Sequence, residues 1–251
     1  MSGGWVLVIP VKDARRGKSR LNVPGVDRVA LARAIATDTI VAALGCQRVH
    51  RVIVVTGDPV ISSDAEAIGA TAVDDRAAPD LNAAIALGVA AAVGPAFRAP
   101  RLLERPESLD PEDALGHADL HGTPYSHERP ALFGHAALLG DLPALRPRDL
   151  ATALDACAQA SGTEGSSRAV IADAEGIGST LVTADVGSPW QSAFGANSLA
   201  RHRALGCVLA PVPERSTVRR DVDTAAQLKA ALAFGLGART ARVLNQHSIL
   251  T

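Results

Sequence analysis

The chain has 251 residues, 47% of them hydrophobic, and a net charge of −1, enough for a substantial core in one large α/β domain or two small ones. Its balanced charge excludes the broad cationic field of a nucleic-acid binder or of a protein held on an acidic membrane. Apolar stretches fall short of the roughly 18 residues that cross a bilayer.

Strand-like sequence begins by Trp5, so no signal peptide is expected and a cytoplasmic protein is. Val6–Val11 reads as a buried strand. Asp27–Leu44 reads as a helix: Val29, Leu31, Ile35, Ile40 and Leu44 fall near one face, and Gly45 follows as a cap. "RVIVVTGD" is a second strand, "SSDAEAIG" a short helix capped by serine, and "TAVDD" a short third strand. "DLNAAIALGVAAAVG" is a helix with Asp80 as N-cap. Residues 95–130 interrupt this order with six of the fifteen prolines and many charges, and read as an irregular insertion. His117 and His121, four apart, lack a third ligand at motif spacing and read as loop histidines.

Beyond the insertion, "ALLGDLP" ends a strand, "RPRDLATALDACAQA" is a helix, and "RAVIADAEG" and "STLVTADV" are strands. A short helix at "NSLARHRALG", a strand at "CVLAPV" and a closing helix at "DTAAQLKAALAFG" complete the chain. Alternating strands and helices predict a mostly parallel sheet with helices on both faces. Ligands of such sheets bind beyond the carboxyl ends of the strands. Three scattered cysteines, Cys46, Cys157 and Cys207, match neither a disulfide framework nor a zinc spacing and read as buried thiols.

The loop after the first strand stands out. Residues 12–20 hold Lys12, Arg15, Arg16, Lys18 and Arg20, and two of the three lysines of the whole chain. "GKS" at 17–19 is not a P-loop, because Lys12 occupies the place of the motif's first glycine. A loop that holds polyphosphate through side chains is the functional alternative, since lysine is a compact, mobile point charge; a solvated basic turn is the other. Its place at the end of a buried strand favours the first.

Several stretches resemble one family in order: "VIPVKDARRGKSRL", "RVALARAIATDT", "DLNAAI", "GDLPAL", "FGANSLARH" and "RRDVDT". They are similar to the 2-phospho-L-lactate / phosphoenolpyruvate guanylyltransferases of coenzyme F-420 biosynthesis. The resemblance covers nearly all of the chain outside 95–130, where that family has a short link. A second departure is "DAEGIGST", with Ala174 in place of an arginine and one extra residue.

The resemblance implies a single Rossmann-like, glycosyltransferase-A-like nucleotidyltransferase domain. It implies Mg²⁺ held by Asp141 and Asp223, and a nucleotide held by Lys12, Lys18 and Asn82. Lys12, Lys18 and Arg20 would serve catalysis by neutralising the triphosphate and departing pyrophosphate. Of Asp221 and Asp223 only one is expected to face the metal, the resemblance favouring Asp223, and the other is free to cap the closing helix. Thr180, Gly195 and Ser198 would hold the acceptor carboxylate, Ser198 at a helix start whose free amides attract anions; the alternative for Ser198 is a plain N-cap, and for Asn82 a capping residue. Arg201 and His202 either support this site or only pack. Asp58 receives no role.

The implied reaction joins GTP to phosphoenolpyruvate or 2-phospho-L-lactate and releases pyrophosphate, with composition leaning to phosphoenolpyruvate. Two rivals stay open. One is another nucleotidyltransferase of the same fold, for a molybdenum cofactor or a sugar phosphate. The other is a GTP-binding regulatory protein without turnover. No nucleic-acid or membrane partner is expected, and a homo-oligomer stays open.

Overall fold

A computed structural model describes residues 3–18, 20–93 and 131–246; the insertion at 95–130, with His117 and His121, lies outside them. The first half alternates strands and helices as the apolar runs predict: β1 (Gly3–Pro10), α1 (Arg28–Leu44), β2 (Val49–Val55), α2 (Pro59–Ala67), β3 (Thr71–Val73) and α3 (Leu81–Val93). The second half has β4 (Ala131–Leu138), α4 (Pro147–Glu164), β5 (Arg168–Ala172), β6 (Ser179–Asp185), α5 (Ser198–Ala204), β7 (Val208–Leu209), α6 (Ala225–Leu232) and α7 (Ala238–Asn245). The strands form one seven-stranded sheet in the order β3-β2-β1-β4-β6-β5-β7. Pairing is parallel from β3 to β4 and between β5 and β7, while β6 runs antiparallel to both its neighbours. The expected mixed, mostly parallel sheet is therefore present, with its reversal confined to β6.

Helices cover both faces. Leu7 and Ile9 of β1 join Ile40 of α1, Ile61 of α2 and Leu154 of α4 in one core. Val6 and Val8, of opposite parity, join Ile85 and Val89 of α3 and Phe194 on the other face, as the alternation of side chains along a strand requires. A third cluster lies beyond α1, where Leu21 of the basic loop packs with Leu31, Ile35, Val222, Leu228 and Leu244. This cluster ties the loop to the two C-terminal helices. Cys46, Cys157 and Cys207 are all buried and free. No helix among the described residues is long and apolar enough to cross a membrane.

Three local expectations are corrected. The cap of α2 is Asp58, whose carboxylate accepts from Val60 N at 3.0 Å, because Pro59 opens the helix three residues before the serines. The cap of α6 is Thr224, in a reciprocal pair with Gln227, and neither Asp221 nor Asp223 serves. Helix α7 was not expected at all. Its first turn is anchored by Asp38, buried within α1, which accepts from Thr240 N at 2.7 Å and Arg239 N at 3.1 Å.

Candidate active site

The carboxyl ends of β1, β2 and β4 open onto two adjoining cavities. The basic loop leaves β1 there and is fixed by two charged residues from neighbouring elements. Arg28, in the first turn of α1, donates to the carbonyls of Ala14, Arg15 and Gly17. Asp58 accepts from Ala14 N at 3.2 Å and takes the Arg33 guanidinium in a two-point pair, 3.0 Å on each arm. Burial works against its ionisation, but Arg33 and the Ala14 and Val60 amides outweigh burial and hold its carboxyl below the ordinary value. Asp58 therefore has a structural task that its sequence neighbours do not disclose. The loop's backbone is fixed by residues outside it.

Lys18 adopts φ +55°, a left-handed conformation that costs a non-glycine residue on the order of 1 kcal/mol and collects at functional sites. The turn carries its ammonium inward. Nζ meets Asp141 Oδ2 at 2.5 Å, Asp223 Oδ1 at 2.6 Å and the Val222 carbonyl at 2.7 Å. Burial opposes the charge on Lys18, yet Asp141 and Asp223 raise its pKa above the ordinary value. Asp141 and Asp223, 82 positions apart in the chain, thus stand at one point. Val222 secures this arrangement: its amide donates to the Asp141 carbonyl at 3.0 Å while its side chain is buried in the third cluster. Asp141 Oδ1 is buried without a hydrogen-bond partner among the described residues, whereas the Asp223 side chain is 60% exposed. An orphaned carboxylate oxygen beside an open one is a donor set suited to a hard divalent cation, which takes oxygen ligands and leaves room for phosphate and water.

Asp221 does not join Asp223 at Lys18. It joins Asp173 and Glu175, with one carboxylate oxygen of each within 4.8 Å of the others. Burial, and then Asp141 and Asp173, push its carboxyl up to about 7. The separation along the chain hid this group from sequence inspection.

The larger cavity, about 460 Å³, has Val11, Pro79, Leu81 and Ala84 among its apolar walls and Lys12, Asp13, Arg16 and Asp75 among its charged ones. The second, about 310 Å³, is lined by Lys12, Lys18, Asp141 and Asp223. Lys12 borders both. Arg20 is exposed and forms part of neither wall, so it stands apart from the other residues of its predicted set.

Asn82 does not face the larger cavity with a free amide. Its Oδ1 accepts from Phe194 N at 2.8 Å and Ser192 Oγ at 3.1 Å, and its Nδ2 donates to the Phe194 carbonyl at 3.1 Å. Asn82 is thus a buckle: α3, from one side of the cleft, grips the loop that precedes α5 on the other.

That loop carries the glycine and serine expected at the acceptor. Gly195 has φ +122°, a conformation that side chains strongly disfavour, and Asn197 follows in the left-handed region with no side-chain cap bond. Ser198 is buried. Its Oγ accepts from Ser179 N and from Ser179 Oγ, both at 2.9 Å. Ser179 Oγ is in turn 2.8 Å from His202 Nδ1, and Ala193 N donates to His202 Nε2 at 2.8 Å. The Ala193 amide makes Nε2 the acceptor, which leaves the ring proton on Nδ1, directed at Ser179. Ser179 passes its own proton to Ser198, so both bonds to Ser198 Oγ use its lone pairs and its own O–H remains to be donated. Burial pushes His202 down to about 4, so the ring is neutral and the chain keeps one direction at neutral pH. Thr180 Oγ1, on a residue with 0% exposure, has no hydrogen-bond partner among the described residues. Sequence inspection left His202 undecided between support and packing; Ser179 it missed, and only spatial pairing identifies it.

No protein-family model matches the chain. A phosphoenolpyruvate guanylyltransferase from Streptomyces coelicolor is 43% identical over 241 residues, covering 95% of each chain. One from Thermomonospora curvata is 40% identical over 238 residues, covering 94% of this chain and 87% of that one. Among solved structures, a nucleotidyl transferase from Methanothermobacter thermautotroptrophicus superposes with a TM-score of 0.51 at 17% identity, over 92% of this chain and 97% of the other; that likeness is one of fold.

Proposed function

Because the chain belongs to the phosphoenolpyruvate guanylyltransferase family, we propose that it joins GTP to phosphoenolpyruvate and releases pyrophosphate, as a single nucleotidyltransferase domain. The observation that carries this reading is the meeting of Lys18 with Asp141 and Asp223 at the mouth of the cleft. A cation-binding acid pair and a lysine at one point are what the union of two polyanions requires. An oxygen of the acceptor phosphate attacks the α-phosphorus in line. A new P–O–P linkage forms as the bond to the β-phosphate oxygen breaks, and pyrophosphate leaves with that electron pair. The attacking phosphate is already ionised at neutral pH, so no general base is required. His202 fits this account, since both its nitrogens are occupied by structural hydrogen bonds.

Asp141 and Asp223 would hold Mg²⁺. When bound, that ion supplies neutralisation of charge on the phosphates. Lys12 and Lys18 contribute the same service from the loop and orient the triphosphate, so that catalysis is positioning plus electrostatics. Arg20 is left without a role, and Asn82 acts through the loop it buckles. The acceptor carboxylate is taken by the free O–H of Ser198, with Thr180 and the Gly195 backbone beside it. The product in this role serves formation of the deazaflavin coenzyme F-420, in a cytoplasmic enzyme.

A pyrophosphate-release assay with GTP, Mg²⁺ and each of several phosphoacids tests this. Release with phosphoenolpyruvate above other acceptors is the expected result. Release only with 2-phospho-L-lactate or a sugar phosphate would replace the acceptor, and no release with any acceptor would overturn the proposal.

A further inference from the structure

The larger cavity contains a carboxylate that no other of the described residues engages. Three acids line it: Asp13, Asp75 and Asp80. Asp13 Oδ1 is held by Arg15 N at 2.9 Å, and Asp80 Oδ1 by Ala83 N at 2.9 Å. Asp74, next in sequence, pairs with Arg76 at the surface. Asp75 makes no side-chain hydrogen bond or ion pair with another of the described residues. Its backbone is nonetheless fixed. Thr56 N donates to the Val73 carbonyl at 2.9 Å, and Ala78 N donates to the Asp75 carbonyl at 2.7 Å, which pins the turn that follows β3. The space its carboxylate occupies is made by Gly57: a Cβ there would lie 2.5 Å from Asp75 Oδ1.

We propose that Asp75 reads the base of the bound nucleotide, its two carboxylate oxygens accepting the N1–H and N2–H of guanine. This rests on the guanylyl transfer proposed above and names the residue that makes it specific. Two features set the orientation. Lys18, Asp141 and Asp223 line only the second cavity, so the triphosphate belongs there and the base extends past Lys12 into the first. The first cavity has the apolar walls a flat ring needs, and among the described residues Asp75 is its only acid that no other residue holds. An ionised carboxylate offers acceptors alone. Guanine presents two adjacent donors on one edge. Adenine and cytosine present a ring acceptor beside their amino group, and uracil a single donor between two carbonyls, so each would meet the carboxylate with at least one repulsive contact. Desolvation, with Asp74 and Asp13 nearby, raises the Asp75 carboxyl above its ordinary value against the pull of its own backbone amide.

The test is pyrophosphate release with GTP, ITP, XTP and ATP in the wild type, Asp75→Asn and Gly57→Ala. Inosine lacks the 2-amino group and xanthine replaces it with a carbonyl. Asp75→Asn is expected to lower kcat/KM for GTP by about 10- to 100-fold, the loss of a hydrogen bond to a charged group. It is also expected to raise kcat/KM for XTP above the wild-type value, since the amide can donate to the new carbonyl, a gain that mere structural damage cannot produce. Gly57→Ala displaces the carboxylate without touching it, and should remove the preference for GTP over ITP. Should Asp75→Asn fail to fold, this second variant decides. Equal losses for all four nucleotides, as from a ribose contact, would overturn the assignment, as would unchanged selectivity in both variants. A wild type that releases pyrophosphate from no nucleotide would sink guanylyl transfer itself, whereas a GTP-specific wild type with unaltered variants sinks only the role of Asp75.

Discussion

The two sides of the cleft solve the problem of binding an anion in different ways. On the parallel side, β1 to β3 present a loop whose backbone is clamped by Arg28 and Asp58 while Lys12 stays exposed and Lys18 reaches into the opening. The loop's charge is carried on long side chains, Lys12 open to solvent and Lys18 held by Asp141 and Asp223. On the side of antiparallel β6, a buried chain runs from His202 through Ser179 to Ser198, and polarity is fixed before any ligand arrives. A triphosphate is large, multiply charged and able to adapt, so point charges suffice. A small carboxylate has two oxygens and no slack, and is selected by a donor held in one direction. Asn82 joins the halves, gripping from α3 the loop that precedes α5.

The largest break in this comparison comes from the acid pair that both sides share. Asp141→Asn or Asp223→Asn keeps shape and removes one charge from the place where Lys18 and the cation belong. Turnover is expected to fall by at least about 100-fold in each, as for loss of a preorganised electrostatic group, with circular dichroism unchanged. Near-normal turnover in either variant would remove that residue from the metal site. Binding of Mn²⁺ without nucleotide should weaken in the same two variants, a readout independent of chemistry.

Next in size is the donor itself. Ser198→Ala removes one hydrogen bond to a charged group, roughly 1.5–3 kcal/mol, or about one to two orders of magnitude in acceptor affinity. The KM for GTP should scarcely move, because no described contact links Ser198 to the lysine loop. Its hydroxyl bonds to Ser179, and it makes no cap bond to its own helix, so a lowered melting temperature with unchanged acceptor affinity would contradict the proposed role. Steady-state kinetics with each substrate varied separate the two cases.

How much of this was legible beforehand depends on how far the partners lie apart in sequence. Strands such as Val6–Pro10 and helices such as α1 follow from local apolar pattern and caps, and the motifs at 141, 195–198 and 221–224 were visible as short strings. What stayed hidden needed a second, distant residue. Asp38 caps a helix that begins 200 positions later. Asn82 looks like a helix-start residue with a free amide until Phe194 folds against it. The serine expected to cap α2 lost to Asp58 because Pro59 can occupy the first turn, where its missing N–H costs nothing. The grouping of Asp173, Glu175 and Asp221 has no spacing by which to recognise it.

The acceptor side should also be marked by pH. His202 is depressed to about 4 from 6.5 in the folded chain. The unfolded chain therefore binds the extra proton first as pH falls, and stability is lost between 6.5 and about 4, with none of this loss above 6.5. At pH 5.5 the penalty is about 1.4 kcal/mol, on the order of one pKa unit of differential protonation. Melting temperatures of the wild type and His202→Asn between pH 7.5 and 5 check this: the wild type should be the more stable at pH 7.5 and should lose more of its stability on acidification. Parallel curves would mean that the ring is not held neutral.

The smallest effect expected is the most diagnostic of prearrangement. Ser179 touches no proposed ligand; it connects His202 to Ser198 and, by donating to Ser198 Oγ, leaves the Ser198 O–H to be donated elsewhere. Ser179→Ala leaves Ser198 in place with the hydroxyl free to rotate, and removes a neutral hydrogen bond worth roughly 0.5–1.5 kcal/mol. The KM for phosphoenolpyruvate should rise by about 2- to 10-fold while the KM for GTP and the pH profile of kcat stay as they are. Ser179→Thr, which restores the hydroxyl, should recover most of the loss if the added methyl is accommodated, and the melting curve reports whether it is. The double variant with Ser198→Ala then decides the point. If Ser179 acts by aiming Ser198, its effect vanishes once Ser198 has no hydroxyl, so the double variant should match Ser198→Ala in acceptor KM. Additive losses would show that Ser179 contributes to the acceptor site by some route other than the chain of hydrogen bonds, and the contrast between a pre-aimed side and an adaptable one would not hold.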